Sequence, residues 1–227
     1  MRLVFFKILF MVFFLLPSLA YAGQLEDGQT ALNEGDYQTA MKLLEPLADQ
    51  GNAEAQFQLA LMYKMGTSLK RTDGEAFRWF RRAAIQAEIS DGGVKALTER
   101  DLPANQKAAA LLLMAEWREA VKNREVCAQL EKAGDSLTQP REIDHWIYFD
   151  ETAQREKFRK RSVEMGFQTI KETDTPDHEK RYGIRINRVD LPSYDGIDTV
   201  TLPLFRLALE FEGEYDGWET EVIRSKK

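Results

Sequence analysis

The chain is poor in the residues that most often carry metal, redox and acid–base chemistry. Its 227 residues include one cysteine, Cys127, and two histidines, His145 and His178. A single cysteine excludes an internal disulfide, and we interpret Cys127 as a half-buried packing residue, with an intermolecular bridge or a reactive thiol as the alternative. The histidines have no cysteine or histidine partner at metal-ligand spacing. We therefore expect no catalytic residue, no metal and no cofactor.

Positive charge is also scarce. The sequence has 31 lysine and arginine residues against 37 aspartate and glutamate residues, a net charge of −6. The densest basic cluster, residues 155–161, is interrupted by Glu156, and we interpret it as a solvated helix face. Binding to phosphates requires clustered lysine and arginine side chains that displace counterions. The composition therefore argues against a nucleic-acid partner.

Long uncharged hydrophobic runs are confined to the N-terminus. After a basic start, residues 8–16 carry no charge, and Pro17 ends the run. The small-residue pattern Ala-Tyr-Ala that closes at Ala22 completes a secretory signal peptide over residues 1–22, with cleavage before Gly23. A membrane-spanning helix is the alternative, although the run is shorter than the roughly 20 apolar residues that a bilayer requires.

Cleavage at this point would remove two basic side chains and no acidic one. The mature chain would then have 29 basic and 37 acidic side chains, a net charge of −8. No cysteine follows the cleavage point, so a lipid anchor has no attachment site. We therefore expect a periplasmic or secreted protein without a stable membrane anchor.

The first half of the sequence repeats itself with a period of 36 residues. The shift superposes Ala40 on Ala76, Leu43 on Trp79, Leu44 on Phe80, Leu47 on Ala83 and Ala48 on Ala84. In the second copy these positions fall at i, i+3, i+4, i+7 and i+8, which gathers them on one stripe of a helix. A period of this length predicts an all-α domain of stacked helical hairpins over residues 23–134, closed by capping helices.

A partner helix precedes the second stripe and ends at Gly66, and its apolar positions are Ala55, Leu59, Met62 and Tyr63. Residues 52–84 resemble the Sel-one-type repeat, a relative of the tetratricopeptide repeat, and residues 35–40 resemble a tetratricopeptide hairpin. The resemblance implies a scaffold that holds proteins or peptides on a concave face. With only two units, a spacer or docking platform is an equal alternative.

Helices over residues 108–117 and 118–133 are expected next, and Gly134 and Pro140 mark the start of a second domain over residues 135–227. In this domain we expect a strand at 145–149, a helix at 151–165, strands at 167–170 and 182–187, a second helix that ends near Phe211, and a strand at 215–223. We expect Thr201 to cap the second helix, with Pro203 in its first turn. A start near Ser193, with a kink at Pro203, is the alternative. The order βαββαβ predicts an α+β ferredoxin-like sandwich, with both helices on one face of an antiparallel sheet.

Two segments of this domain carry a family resemblance. Residues 141–149, Arg-Glu-Ile-Asp-His-Trp-Ile-Tyr-Phe, and residues 214–220, Glu-Tyr-Asp-Gly-Trp-Glu-Thr, are similar to the family of the regulator of ribonuclease E activity B (RraB). The resemblance covers about residues 135–222. It implies a small domain that inhibits an RNA-degrading enzyme by binding it, without chemistry of its own.

The second of these segments supplies the candidate partner-binding residues, Tyr215, Asp216 and Trp218. Asp216 and Gly217 predict a tight bend or bulge in or beside the last strand, over which the Trp218 ring can lie while its N–H finds an acceptor. Exposed aromatics beside a carboxylate are typical anchors of protein interfaces. The alternative, which we prefer for these residues, is a corner that defines the fold.

The same region contains alternating carboxylates, at Glu210, Glu212, Glu214 and Asp216. On a strand these four side chains would share one face. We interpret them as solvated charge, with a weak calcium site as the alternative.

Aromatic residues in the second domain also invite comparison with sheets that bind RNA. Trp146 and Tyr148 lie on one expected strand and Tyr182 on another, and RNA-recognition domains stack bases on aromatics in such positions. The acidic charge argues against this use. The alternation leaves open whether this face of the strand or the face with His145, Ile147 and Phe149 packs under the helices.

The sequence as a whole predicts an exported protein–protein interaction module rather than an enzyme. A helical-repeat platform would be fused to an RraB-like domain that binds, and can inhibit, a protein of unknown identity. The alternative is an unrecognised hydrolase or small-ligand-binding protein that uses a cleft between the domains.

Overall fold

The computed structural model describes residues 23–66, 72–89, 102–174 and 182–224. The chain divides into two compact units, Met1–Trp117 and Arg118–Lys227. The expected signal peptide, the segment at 67–71 that follows Gly66, the polar turn that includes His178, and Ala22 lie outside the described residues. Among the helices described, none has the length and apolar character needed to cross a bilayer.

The first unit consists of helices. They are α1 through residues 23–34, α2 at Tyr37–Asp49, α3 at Ala53–Met65, α4 at Asp73–Ile89, and the first part of α5, which spans Ala104–Lys132. Side-chain caps set two of the starts, since the Asp36 carboxylate accepts from the Thr39 N–H and the Asn52 amide oxygen from the Ala55 N–H. Gly66 ends α3 in the left-handed conformation, where the absence of a Cβ avoids strain.

The repeated apolar positions form the core of this unit. Ala76, Trp79, Phe80, Ala83 and Ala84 are all buried, and so are Ala40, Leu44, Leu47 and Ala48 at the equivalent positions of α2. Helix α3 packs against both α2 and α4. The predicted stripes are therefore confirmed as packing surfaces.

The second unit contains a four-stranded antiparallel sheet. After the end of α5 come β1 at Arg141–Phe149, α6 at Thr152–Glu164, β2 at Gln168–Asp174, β3 at Tyr182–Asp190, α7 at Asp198–Glu210 and β4 at Glu214–Glu219. The strand order is β2-β3-β1-β4, with every neighbouring pair antiparallel.

The two faces of β1 differ in burial. His145, Ile147 and Phe149 are fully buried, and the last two pack with Phe158 of α6 and Leu204 of α7. Trp146 and Tyr148 lie on the opposite face and are half-buried. This settles which side of the strand packs under the helices.

Helix α5 is continuous where the sequence predicts two helices. Its second part belongs to the second unit, because Cys127 and Leu130 pack in one apolar cluster with Ile143, Ile197 and Trp218. The unit boundary consequently falls at Trp117 and Arg118, whereas the sequence places it after Gly134. Cys127 is fully buried, and burial raises its pKa to about 11. It is a packing residue, as expected, but it is fully rather than half-buried.

Helix α7 begins at Asp198, three residues before the expected cap at Thr201, so that Pro203 lies inside the helix. The Thr201 hydroxyl donates 3.0 Å to the carbonyl of Ile197, one turn earlier, and accepts from Asn123. The backbone N–H of Thr201 donates to the same carbonyl, so Thr201 lies inside the helix and is not its cap.

The basic cluster on α6 is solvated only in part. Arg159 and Arg161 pair with acidic residues of their own helix near the surface. Arg155 is instead buried, pairs with Glu172 and Asp174 of β2 at 3.0 Å, and lies over the ring of Tyr182. The prediction of a solvated face was wrong for Arg155.

Candidate functional site

Strand β4 carries the predicted binding residues. Tyr215 and Trp218 lie on the helix-covered side and are only 5% and 7% exposed, whereas Asp216 is exposed. The Tyr215 hydroxyl lies 2.9 Å from Nδ1 of His145. Burial raises the pKa of Tyr215, and the Glu119 and Asp216 carboxylates add to the effect. Tyr215 is therefore a neutral packing residue with one polar partner.

Trp218 is fixed by a buried polar network on α5. Its indole N–H donates to the amide oxygen of Asn123 at 2.9 Å. The Asn123 amide group donates to Asp198 at 2.8 Å and to the Thr201 hydroxyl at 2.7 Å. One amide thus joins α5, the start of α7 and β4, which fixes the position of β4 relative to the helix.

A β-bulge shapes the middle of β4. Trp146 pairs with Gly217 and Ile147 pairs with Tyr215, so Asp216 is an extra residue with no partner in the register. Gly217 has a φ of 142°, a conformation that side-chain-bearing residues rarely adopt. The expected bend or bulge at Asp216-Gly217 is confirmed, and it turns the chain at the rim of a groove.

This groove is lined by the second part of α5, by β4 and by the face of β1 opposite the one that packs with α6 and α7. Its volume is about 450 Å³. Two half-buried aromatic rings, those of Trp146 and Tyr148, form part of its wall. We call it the β4 groove. The other lining residues are Glu119, Lys122, Asn123, Glu125, Val126, Gln129, Asp216, Gly217, Trp218 and Glu219.

The β4 groove is acidic. Four carboxylates line it against one cation, Lys122, which pairs with Glu119 at 2.7 Å. Among the described residues, Glu125, Asp216 and Glu219 have no ion-pair partner. Burial, together with the Asp216 carboxylate, raises the pKa of the Tyr148 hydroxyl. The groove therefore has an aromatic wall and uncompensated negative charge.

The burial of Tyr215 and Trp218 agrees with the alternative interpretation, a corner that defines the fold. Neither ring is available as an exposed anchor, and only Asp216 of the predicted trio is exposed. Gly23, beside the expected cleavage point, is an exposed residue of α1. The partner-binding role of the trio and the cleavage before Gly23 stay predictions.

The other candidate residues have no common site. His145 is fully buried, and burial, with Arg188 nearby, lowers its pKa to about 3, so its ring is neutral and out of reach of a substrate. Glu210 ends α7 and Glu212 lies in the following turn, so only Glu214 and Asp216 lie on a strand, and all four carboxylates are exposed, which agrees with their interpretation as solvated charge. Within the described ranges, no cluster of three or more histidine, cysteine or acidic residues is placed to hold a metal ion.

Sequence reasoning missed Asn123 and the α5 wall of the groove. A lone asparagine on a charged helix gives no sign that it will be buried. The sequence did contain a signal for the aromatic wall of the groove. The alternation in β1 places Trp146 and Tyr148 together on one face.

Comparisons with known proteins point to the same part of the chain. Residues 120–220 match the sequence model of the family described as regulator of ribonuclease activity B. The match supports an RraB family domain over this range. No match was found among curated proteins.

Proposed function

We propose that this chain is a protein-binding regulator whose RraB domain makes the functional contact and whose helical unit supports it. The observation that carries the proposal is the family match over residues 120–220, which lies within the second compact unit, Arg118–Lys227. The family takes its description from regulating a ribonuclease. By this reading the domain changes the activity of another protein by occupying its surface.

The architecture proposed for this unit is the ferredoxin-like sandwich. Three features support it: the βαββαβ element order, the β2-β3-β1-β4 strand order, and the burial of residues from both α6 and α7 against one sheet face. This fold hosts many unrelated functions, so the functional argument depends on the β4 groove and the family match.

The helical unit is proposed to be a short repeat stack of the Sel-one or tetratricopeptide type. Helices α2 and α4 begin at Tyr37 and Asp73, one repeat period apart, and bury equivalent positions. Repeats of this kind stack neighbouring helices to build surfaces for other proteins. The unit would then serve as a platform for the partner or for a second protein.

Export is part of the proposal. The pattern over residues 1–22 is that of a signal peptide, and an exported chain would not meet a cytoplasmic ribonuclease E. The partner is therefore proposed to be a periplasmic or secreted protein. Intact mass and cell fractionation test this step, with an N-terminus at Gly23 in the exported fraction as the expected result. An uncleaved chain in the cytosol would contradict export. A cytoplasmic ribonuclease would then be the first partner to test.

Action by binding rather than by catalysis is likewise proposed. The one described histidine, His145, is enclosed in the core with a neutral ring, so it has no route to a substrate. The accessible functional groups of the domain are the rings and carboxylates of the β4 groove, which suit recognition.

The test of the proposed function is reconstitution with a purified partner. Proteins retained by the immobilised chain from periplasmic and cytosolic extracts are identified, purified and titrated against it, and the partner's own activity is measured at each concentration. We expect saturable 1:1 binding that changes the partner's activity. Trp218→Ala, which removes a buried ring of the RraB domain, should abolish both effects, whereas the exposed change Glu164→Gln should not. Failure of every retained protein to bind saturably after purification would refute the proposal.

A further inference from the structure

The β4 groove has the dimensions of a site for a short segment rather than for a folded surface. Its volume of about 450 Å³ falls in the range of small-ligand clefts, which are also large enough for one or two inserted side chains. Its aromatic wall, Trp146 and Tyr148, lies on the face of β1 opposite the one that packs with α6 and α7. Half-buried rings in a concave site are able to enclose an inserted side chain.

The negative charge of the groove determines which kind of side chain it can bind. Glu125, Asp216 and Glu219 lack ion-pair partners among the described residues, while Lys122 is already paired with Glu119. A phosphate or an acidic peptide would be repelled. A cation would be attracted both by the carboxylates and by the face of an aromatic ring.

Arginine fits this combination better than lysine. Its planar guanidinium stacks on aromatic rings and can donate two parallel hydrogen bonds to one carboxylate. Asp216, held at the rim by the bulge, and Trp146 line the same groove, so one guanidinium can contact both.

Acidic side chains also occur on this face beyond the groove, although Arg185 of β3, opposite Trp146 in the register, pairs with one of them, Asp144, at 3.9 Å. A second surface cleft, at the other end of β1, is lined by Glu142, Asp144, Glu219 and Glu221 together with Val189. Its one basic residue, Arg141, is already held by Asp135 in a buried pair. From Glu142 to Tyr148 the face extends for roughly 20 Å, at about 3.3 Å per residue, the length of an extended segment of six or seven residues.

We propose that the β4 groove and the adjoining acidic face bind an extended, arginine-rich segment of the partner protein, with one arginine seated between Trp146 and Asp216. The proposal rests on the proposed protein-binding function and specifies the partner's chemistry. Alternate residues of an extended segment point to the same side, so arginines two or four positions apart would face the carboxylates together.

A defined peptide tests the proposal without knowledge of the partner. A fluorescein-labelled decapeptide with arginine at every second position, separated by serine, is titrated with the full chain as purified from its host, at physiological salt. We expect saturable binding by anisotropy. The matched lysine peptide should bind at least threefold more weakly, and the matched glutamate peptide should not bind.

Variants locate the site. Asp216→Asn and Trp146→Leu are each expected to weaken binding of the arginine peptide about tenfold. Asp150→Asn, which removes the same charge from an exposed position after β1, should leave it unchanged. Because Trp146→Leu changes a half-buried ring, Glu219→Gln at an exposed position serves as the second groove variant, and circular dichroism verifies that each variant is folded.

Several results would overturn the inference. Equal effects of Asp150→Asn and Asp216→Asn would reduce the binding to unspecific charge attraction, and equal affinity for the lysine peptide would remove the argument for a stacked guanidinium. If spermine displaces the arginine peptide completely when both supply the same concentration of positive charge, the groove is a site for small cations. A concentration-dependent dimer that Trp146→Leu dissociates would assign the groove to a second copy of the chain.

The outcome is distinguishable from that of the proposed function. If a purified partner binds the wild type and the Asp216→Asn and Glu219→Gln variants equally well, the groove inference fails while the regulatory function stands. If no partner binds but the arginine peptide does so with the expected variant pattern, the proposed regulatory function fails and the groove assignment stands.

Discussion

The indole Nε1 of Trp218 donates a hydrogen bond of 2.9 Å to the side-chain oxygen of Asn123, 95 residues earlier in the chain. Both side chains are buried. The bond joins the last strand to the helix that precedes the sheet, and the same asparagine holds the first turn of α7. The stability of the second unit should therefore depend strongly on this one amide.

Replacing Asn123 by alanine tests this dependence. The change would leave the Trp218 N–H, the Asp198 carboxylate and the Thr201 hydroxyl each short of a buried partner, and an unsatisfied buried group costs about 1–3 kcal/mol. We expect Asn123→Ala to lower the free energy of unfolding by roughly 2–4 kcal/mol in urea denaturation followed by circular dichroism. The control is Gln129→Ala on the exposed side of the same helix, expected to change it by less than about 0.5 kcal/mol. Similar effects of the two changes would contradict a structural role for the amide.

Asp135 should make the stability of the second unit decrease at acidic pH. The Arg141 guanidinium donates to both carboxylate oxygens, and the backbone N–H groups of Leu137 and Ile223 add further bonds. The hydrogen bonds from Arg141 lower the pKa of Asp135 to about 2, against a partly opposing effect of burial. Because the folded pKa lies below the unfolded value near 3.9, the stabilisation is complete above about pH 4 and is lost as the pH falls towards 2.

The measurement is the urea midpoint from pH 6 to pH 2 for the wild type and Asp135→Asn. We expect the variant to lose less stability than the wild type over the acidic window, by roughly 2 kcal/mol, since the substituted amide does not titrate. At pH 6 the variant should be the less stable protein, because Arg141 keeps its charge in a buried position. If stability falls equally with pH in the two proteins, the pKa of Asp135 does not differ between the folded and the unfolded state.

Much of the fold follows from local pattern. The helical spacing of Ala76, Trp79 and Phe80 predicts a buried stripe, and the alternation in β1 predicts two faces but not which of them is buried, because strand and helix periods assign residues to faces. The bulge follows from Asp216-Gly217, since glycine can take the backbone conformation that the register shift requires.

What could not be predicted depends on partners distant in sequence. Arg155 has the local sequence of a solvated helix, yet β2 supplies carboxylates that permit its burial. Asn123 becomes a buried hub only because α7 and β4 approach it. The continuity of α5 was missed for a related reason, since its two parts pack in different units and their apolar patterns differ.

The buried histidine makes a prediction for nuclear magnetic resonance. Burial of the ring, with Arg188 nearby, lowers the pKa of His145 to about 3, and its Nδ1 lies beside the Tyr215 hydroxyl. The ring signal that is lost in His145→Gln should therefore not shift between pH 8 and pH 5 in the folded wild type. Since the unfolded pKa is near 6.5, this group also favours unfolding as the pH falls from about 6.5 towards 3. A midpoint near 6.5 for that signal would show an accessible ring.

Two glycines should respond to alanine in opposite directions. A Cβ on Gly213, which follows α7, would lie 2.7 Å from Cδ1 of the fully buried Phe149 ring, whereas a Cβ on Gly74 in α4 would meet no atom within 4 Å. Overpacking a core costs about 1–3 kcal/mol, so Gly213→Ala should destabilise by that amount. Gly74→Ala should stabilise by roughly 0.5 kcal/mol, because alanine loses less backbone entropy than glycine in a helix.

Urea denaturation of both variants measures these signs, and a double variant identifies the cause at Gly213. Phe149→Leu removes part of the ring that the new methyl group would meet, so Gly213→Ala should cost at least 1 kcal/mol less in that background, about the size of coupling expected for side chains in contact. If the cost is the same in both backgrounds, the close approach of Gly213 to Phe149 does not determine the choice of glycine.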